Sequence, residues 1–132
     1  MAELLKHLTY EWSFNKGMYD LVAGTKMSIP SNVVDFRSDR FDIPMGAIDF
    51  DGTTDSYASV PPGAYFGKEF TISFWVLVKE KRSWQRVIDF GDGQNKNSLI
   101  GFFDLKPSLH ALSSNGGYCL GLNVNKQIEL NK

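Results

Sequence analysis

Helical stripes are missing from this sequence: nowhere do apolar residues recur at intervals of three and four for long enough to face a core as an amphipathic helix. Cysteine is almost absent. Cys119 stands alone in 132 residues, which excludes an intrachain disulfide and every multi-cysteine zinc pattern, so packing has to stabilise the fold. Neither sign of charge dominates. Fourteen basic residues against fifteen acidic ones leave a net charge of -1 and no excess to draw in phosphate backbones or anionic lipid, and nucleic acid is not an expected partner. The longest apolar run, around Phe74 to Val78, falls far short of the roughly 20 residues of a membrane helix, so no membrane span is expected. At the N-terminus, MAELLKHLTYEW mixes Glu3, Lys6, His7 and Glu11 into its apolar residues and lacks the unbroken core of a signal peptide. His7 and His110 are the only histidines and no Gly-x-Ser-x-Gly elbow is present, so nucleophilic and zinc catalysis lack their parts.

What is there suits a folded chain: 42% hydrophobic, 14% aromatic and 22% charged residues supply one core, read as a single domain over residues 1–132. The pattern along it has period two. In Leu8 to Asn15, Leu8, Tyr10, Trp12 and Phe14 share one parity and Thr9, Glu11, Ser13 and Asn15 the other. Glu69 to Lys79 repeats the alternation with Phe70, Ile72, Phe74, Val76 and Val78 on one face. Shorter strands are predicted at Ala47 to Asp51, Ser56 to Val60, Gln85 to Phe90, Ser98 to Asp104, Leu109 to Ser113, Tyr118 to Val124 and Gln127 to Leu130. That makes about nine strands at the spacing of an all-β sandwich, separated by turn formers such as Asp51-Gly52, Pro61-Pro62-Gly63 and Asn115-Gly116-Gly117. Residues 16–45 read as a long crossing connection with one short strand near Val33 to Phe36. Trp12, Phe14, Phe50, Phe70, Phe74, Trp75, Val76, Ile88 and Phe90 are the expected core.

Three stretches, in order, carry a resemblance. LTYEWSFN is followed by SDRFDIPMGAIDFDGTTDSYASVPPGAYFGKEFTISFWV, with its Ala-hydrophobic-x-Phe-x-Gly turn, Asp55-Ser56-Tyr57, Val-Pro step and Phe-Thr-Ile-Ser-x-Trp-Val strand; SWQRVIDFGDG comes third. Together, over roughly residues 8–104, they resemble the laminin G-like domains of the concanavalin A-like lectin and glucanase class. The resemblance implies an antiparallel jelly-roll β-sandwich and a non-catalytic, typically extracellular binding or adhesion module for glycan or protein ligands. The family's later Trp-x-His-hydrophobic-Ala strand and Tyr-x-Asn-Gly turn have no counterpart, so the chain stops two or three strands short of the pattern. An incomplete sandwich leaves open edges that invite pairing. The alternative expectation is therefore a structural subunit docked into a partner chain or a second copy, in a homo-oligomer or larger complex.

Catalysis is not expected. Glucanases of this fold class need glutamate and aspartate alternating on one strand, and no such run exists here. Oxygen-rich loops suit Ca²⁺ instead, at Asp49, Asp51, Thr53 and Asp55 or at Asp89, Asp92, Asn95 and Asn97. Neither is an EF-hand: from Asp49, Thr54 stands at the sixth place and Val60 at the twelfth. The same residues also form Asx-turns without any metal. Asp89-Phe90-Gly91 and Gly91-x-Gly93 match kinase and dinucleotide motifs in letters only and read as strand-end turns. Sugar rings stack on aromatic faces, and loop aromatics are the better ligand candidates: Trp84 after Lys79-Glu80-Lys81-Arg82, Tyr65 after Pro61-Pro62-Gly63, and Tyr57.

Overall fold

The computed structural model of the protein describes residues 6–15, 17–29, 34–63, 65, 69–91, 97–112 and 118–132. Among them every regular element is a strand, and every strand pair is antiparallel. Among the described residues no helix is long and apolar enough to cross a membrane. The chain divides into two units, Met1–Phe70 and Thr71–Lys132.

In the first unit β1 (Val34–Arg37) pairs with β2 (Ala47–Phe50), Phe36 facing Ile48 and Asp35 facing Asp49. Arg37 binds both acidic neighbours, at 3.0 Å from Asp35 and 3.3 Å from Asp49. The connection between the strands is tied by Asp39, whose carboxylate accepts the Phe41 and Ile43 N–H groups at 2.8 and 3.0 Å.

The predicted strand at Leu8 to Asn15 does not form a ladder. Asp20, 2% exposed, takes the Glu11 N–H on its carboxylate at 2.6 Å, while the Glu11 carbonyl accepts the Leu21 N–H. A loop thus uses the backbone groups that a neighbouring strand would need, and Phe14 turns into the left-handed region at φ 56°. The alternation survives locally: Tyr10 and Trp12 stack with ring centroids 5.4 Å apart.

In the second unit β3 (Gln85–Gly91), β4 (Asn97–Phe103), β5 (Lys106–Leu112) and β6 (Tyr118–Asn123) form one sheet in chain order. All six strands, β1 and β2 included, thus stand within three residues of their expected places. Gln127 to Leu130 folds back without becoming a strand: Ile128 N–H reaches the Leu105 carbonyl at 2.9 Å and Asn131 N–H the Val78 carbonyl at 2.9 Å. Ser56 to Val60 contributes a single bridge, Ser59 to Ser28.

A bulge interrupts β3. Arg86 faces Gly101 and Ile88 faces Ile100, so Val87 is the extra residue and shifts the parity of what precedes it. Gly101 is required here, because a Cβ on it would run into the Gln85 carbonyl oxygen and lie 3.2 Å from the Arg86 Cα. Leu99 and Phe102 are buried, with Asn97, Ser108 and His110 beside them.

The expected core needs correction at Glu69 to Lys79. This run pairs with no strand among the described residues, and only Val78 is buried; Phe70, Phe74, Trp75 and Val76 are 61%, 42%, 80% and 43% exposed. Alternation marks two faces of an extended chain but carries no information about whether a sheet exists to cover one of them. Phe50 is also exposed, at the end of β2, while Trp12, Phe14, Ile88 and Phe90 are half-buried.

Candidate functional site

The corner of the four-stranded sheet where β3 begins and β4 ends gathers the features of a binding site. Before β3, the loop Glu80–Gln85 is closed by its own ends, with the Gln85 side-chain amide donating to the Glu80 carbonyl at 2.9 Å. Its last member before the strand, Trp84, sits in the left-handed region at φ 57° and is 47% exposed. An aromatic residue there costs roughly 1–2 kcal/mol of backbone strain.

The Trp84 ring meets the edge of Phe103 at 5.3 Å between centroids and tilts against His110 at 5.4 Å. Beneath it Leu99, Gly101, Phe102, Ser108 and His110 close up with no room for a water molecule, so one side of the indole rests on a packed floor. Phe103, 46% exposed, also forms a wall of an open cleft of about 390 Å³ whose other walls are Lys81, Arg82, Ser83 and Asp104. That volume is in the range of small-molecule sites.

Backbone strain continues on the far side of the cleft. Phe103 faces Lys106 across the β4–β5 hairpin, so Asp104 and Leu105 alone make the turn, both at positive φ, 53° and 63°. This is the type I′ geometry usually filled by Asn-Gly. The folded-back tail braces it: Gln127 donates to the Asp104 carbonyl at 3.0 Å and Ile128 N–H to that of Leu105. Asp104 thus lines the cleft in left-handed backbone, and Trp84 and Leu105, each next in sequence to a wall residue, share that conformation.

Charges in the cleft are paired. Lys81 bridges Asp104, and Arg82 lies 2.6 Å from Glu80. The Lys81 hydrogen bond and its charge hold the Asp104 carboxyl below the usual carboxylate range, and the Arg82 hydrogen bond and charge do the same for Glu80. Both carboxyls are ionised at neutral pH and serve as hydrogen-bond acceptors.

Trp84 is the sequence candidate that falls on this site. Tyr65 and Tyr57 belong to the first unit. Tyr65 is half-buried against Tyr10 at 5.0 Å and Trp12 at 6.5 Å, and its hydroxyl donates to the Pro61 carbonyl, which is a packing role. Tyr57 is 52% exposed, and its N–H donates to the Asp55 carbonyl at 3.1 Å. Sequence reasoning missed Phe103 and Asp104; the latter's place before Leu105 lacks the glycine that signals a tight hairpin turn.

The acidic clusters are occupied locally. Asp51 accepts both the N–H and the hydroxyl of Thr53 at 2.8 Å, an Asx-turn, and Asp49 accepts from Arg37. Asp89 lies 2.5 Å from Arg86 and accepts from Asn97 at 3.5 Å, whereas Asp92 and Asn95 lie outside the described residues. Among the described residues no three His, Cys, Asp or Glu side chains come together as a metal-holding group. Comparison with protein families, with curated proteins and with solved structures found no match for this chain.

Proposed function

We propose that this chain is a non-catalytic glycan-binding module, folded as a laminin G-like jelly-roll sandwich, that holds its ligand in the cleft beside Trp84 and Phe103. The observation that carries this reading is the pair of half-exposed rings meeting edge to face at the lip of a cleft walled by Lys81, Ser83 and Asp104. A pyranose offers an apolar C–H face to stack on such rings and a rim of hydroxyls that both donate and accept. Strained, braced backbone on both sides presets the groups, which lowers the ordering cost of binding. Titration with oligosaccharides, followed by amide chemical shifts, tests the reading. Shifts concentrated at residues 81–84 and 103–105 are the expected result; their absence at saturating sugar sinks it.

A second reading, the docked structural subunit, is favoured by one observation. Phe70, Trp75 and Leu77 are 61%, 80% and 54% exposed along one extended run, more apolar surface than a free-standing surface segment ordinarily presents. Light scattering after size exclusion separates the two: a particle of one chain's mass removes this reading.

A further inference from the structure

The docked structural subunit of the second reading needs a partner, and the run from Glu69 to Lys79 names one. We infer that the partner is a second copy of this chain, paired antiparallel with the first along this run about a two-fold axis at Phe74. This inference rests on the docked-subunit reading.

From Phe70 to Lys79 the chain continues without bend, turn or helix, and Phe70, Phe74, Trp75, Val76 and Leu77 are exposed. Phe70 to Val78 contains no charge and no proline, the residues that ordinarily keep an extended segment from accepting another strand. Val78 is the buried member, and its carbonyl accepts the Asn131 N–H at 2.9 Å. The run is therefore anchored near one end and exposed along its middle, where the proposed axis falls.

Charge identifies the occupant. Glu69 and Lys79 close the run at its two ends with opposite signs. Antiparallel pairing centred on Phe74 sets Glu69 of each copy against Lys79 of the other, and beyond them Lys68 against Glu80. The same register sets Phe70 against Val78, Ile72 against Val76 and Phe74 against itself, so the apolar parity of both strands falls on one face. Sliding by two residues sets Glu80 against Phe70 in one direction and Lys68 against Val78 in the other. Sliding by one turns the two apolar parities to opposite faces. Parallel stacking is worse, because it sets Glu69 on Glu69 and Lys79 on Lys79. Glu80 also holds Arg82 at 2.6 Å, which leaves Glu69 with Lys79, a contact made twice by the symmetry, as the one that fixes the register.

The test is light scattering after size exclusion of the full chain, over a protein range of about 5 to 200 μM in about 50 mM NaCl, where exposed charges are weakly screened. The expected mass rises with concentration from 14.9 kDa to twice that value. Glu69→Lys and Lys79→Glu should each weaken the dimer about fivefold or more, since each turns two attractive contacts into two repulsive ones. An equimolar mixture of the two variants should regain the dimer, because every contact is again lysine with glutamate; a defect within one chain would not recover on mixing. In a Cys119→Ser background, Phe74→Cys should oxidise to a disulfide-linked dimer and Phe70→Cys should not, because residue 74 alone meets its own copy. A dimer that neither reversal weakens, or that links as readily through Phe70→Cys, overturns this register and leaves the docked subunit standing. Growth past two chains overturns the closed pair. The mass of one chain at every concentration, with no disulfide link at residue 74, overturns both readings together.

Discussion

Phe103 and Lys106 face each other across the β4–β5 hairpin, and only Asp104 and Leu105 separate them, both in left-handed backbone. Leucine gains nothing from that conformation. Leu105→Gly removes its steric cost and should raise stability by about 0.5–1 kcal/mol after the glycine's larger chain entropy is deducted. Urea unfolding checks this through a higher midpoint at unchanged slope.

The opposite sign is expected at Gly101. Its missing Cβ is the space into which the Gln85 carbonyl projects, and that carbonyl belongs to backbone that cannot rotate away. Gly101→Ala should cost about 1–3 kcal/mol as the bulge is pushed out of register. A melting temperature equal to that of the parent protein would show that the close approach is absent in solution.

Trp84 separates stability from binding. Replacing it with glycine relieves the strain at φ 57° but loses the edge contact with Phe103 and the packing on His110, two effects of similar size. Trp84→Gly should therefore change stability by less than about 1 kcal/mol, while sugar affinity falls about tenfold or more. Parallel urea and titration curves on the one variant measure both.

Asp20 predicts a pH dependence. Burial raises its carboxyl's pKa, but hydrogen bonds from the backbone of Glu11, Val22, Ala23 and Thr25 outweigh that and hold it below the ordinary value. With the folded pKa depressed, the ionised carboxylate stabilises the native state above the unfolded value of about 4. The contribution is lost as pH falls from there through the folded pKa. The wild-type urea midpoint should drop across that window, and Asp20→Asn should start lower at pH 7 and show a shallower drop.

For calcium, the carboxylates of Asp49 and Asp51 are already engaged by Arg37 and Thr53. Adding Ca²⁺ to about 2 mM should leave the melting temperature within about 1 °C of its starting value. A rise of several degrees would reveal a native-state site by mass action.

How much of this could be read in the residues differs from place to place. Ala47–Phe50, Gln85–Gly91 and Asn97–Phe103 carry both alternation and a local partner, and they lie within two residues of their expected bounds. Phe74 and Val76 carry equal alternation, but whether a partner strand reaches them depends on the rest of the chain, which a local pattern does not encode. Trp84 was named from its place after Lys79-Glu80-Lys81-Arg82, and it does stand where that loop meets β3. Asp20 was not: a lone aspartate in an irregular stretch looks like any other, and its capture of the Glu11 N–H spans nine residues. The bulge at Val87 was hidden too, since Gln85 and Ile88 fall on one face only after the extra residue is counted.

The chain-order sheet β3-β4-β5-β6 has a kinetic consequence. Every strand pairs with its sequence neighbour, so each step of assembly closes a short loop, and low contact order of this kind places the sheet among the faster-folding β arrangements. The tightest closure, at Asp104-Leu105, is the natural nucleus, yet it is also the most strained. The gain from Leu105→Gly should then appear mainly as faster refolding, with the unfolding limb of the chevron nearly unmoved.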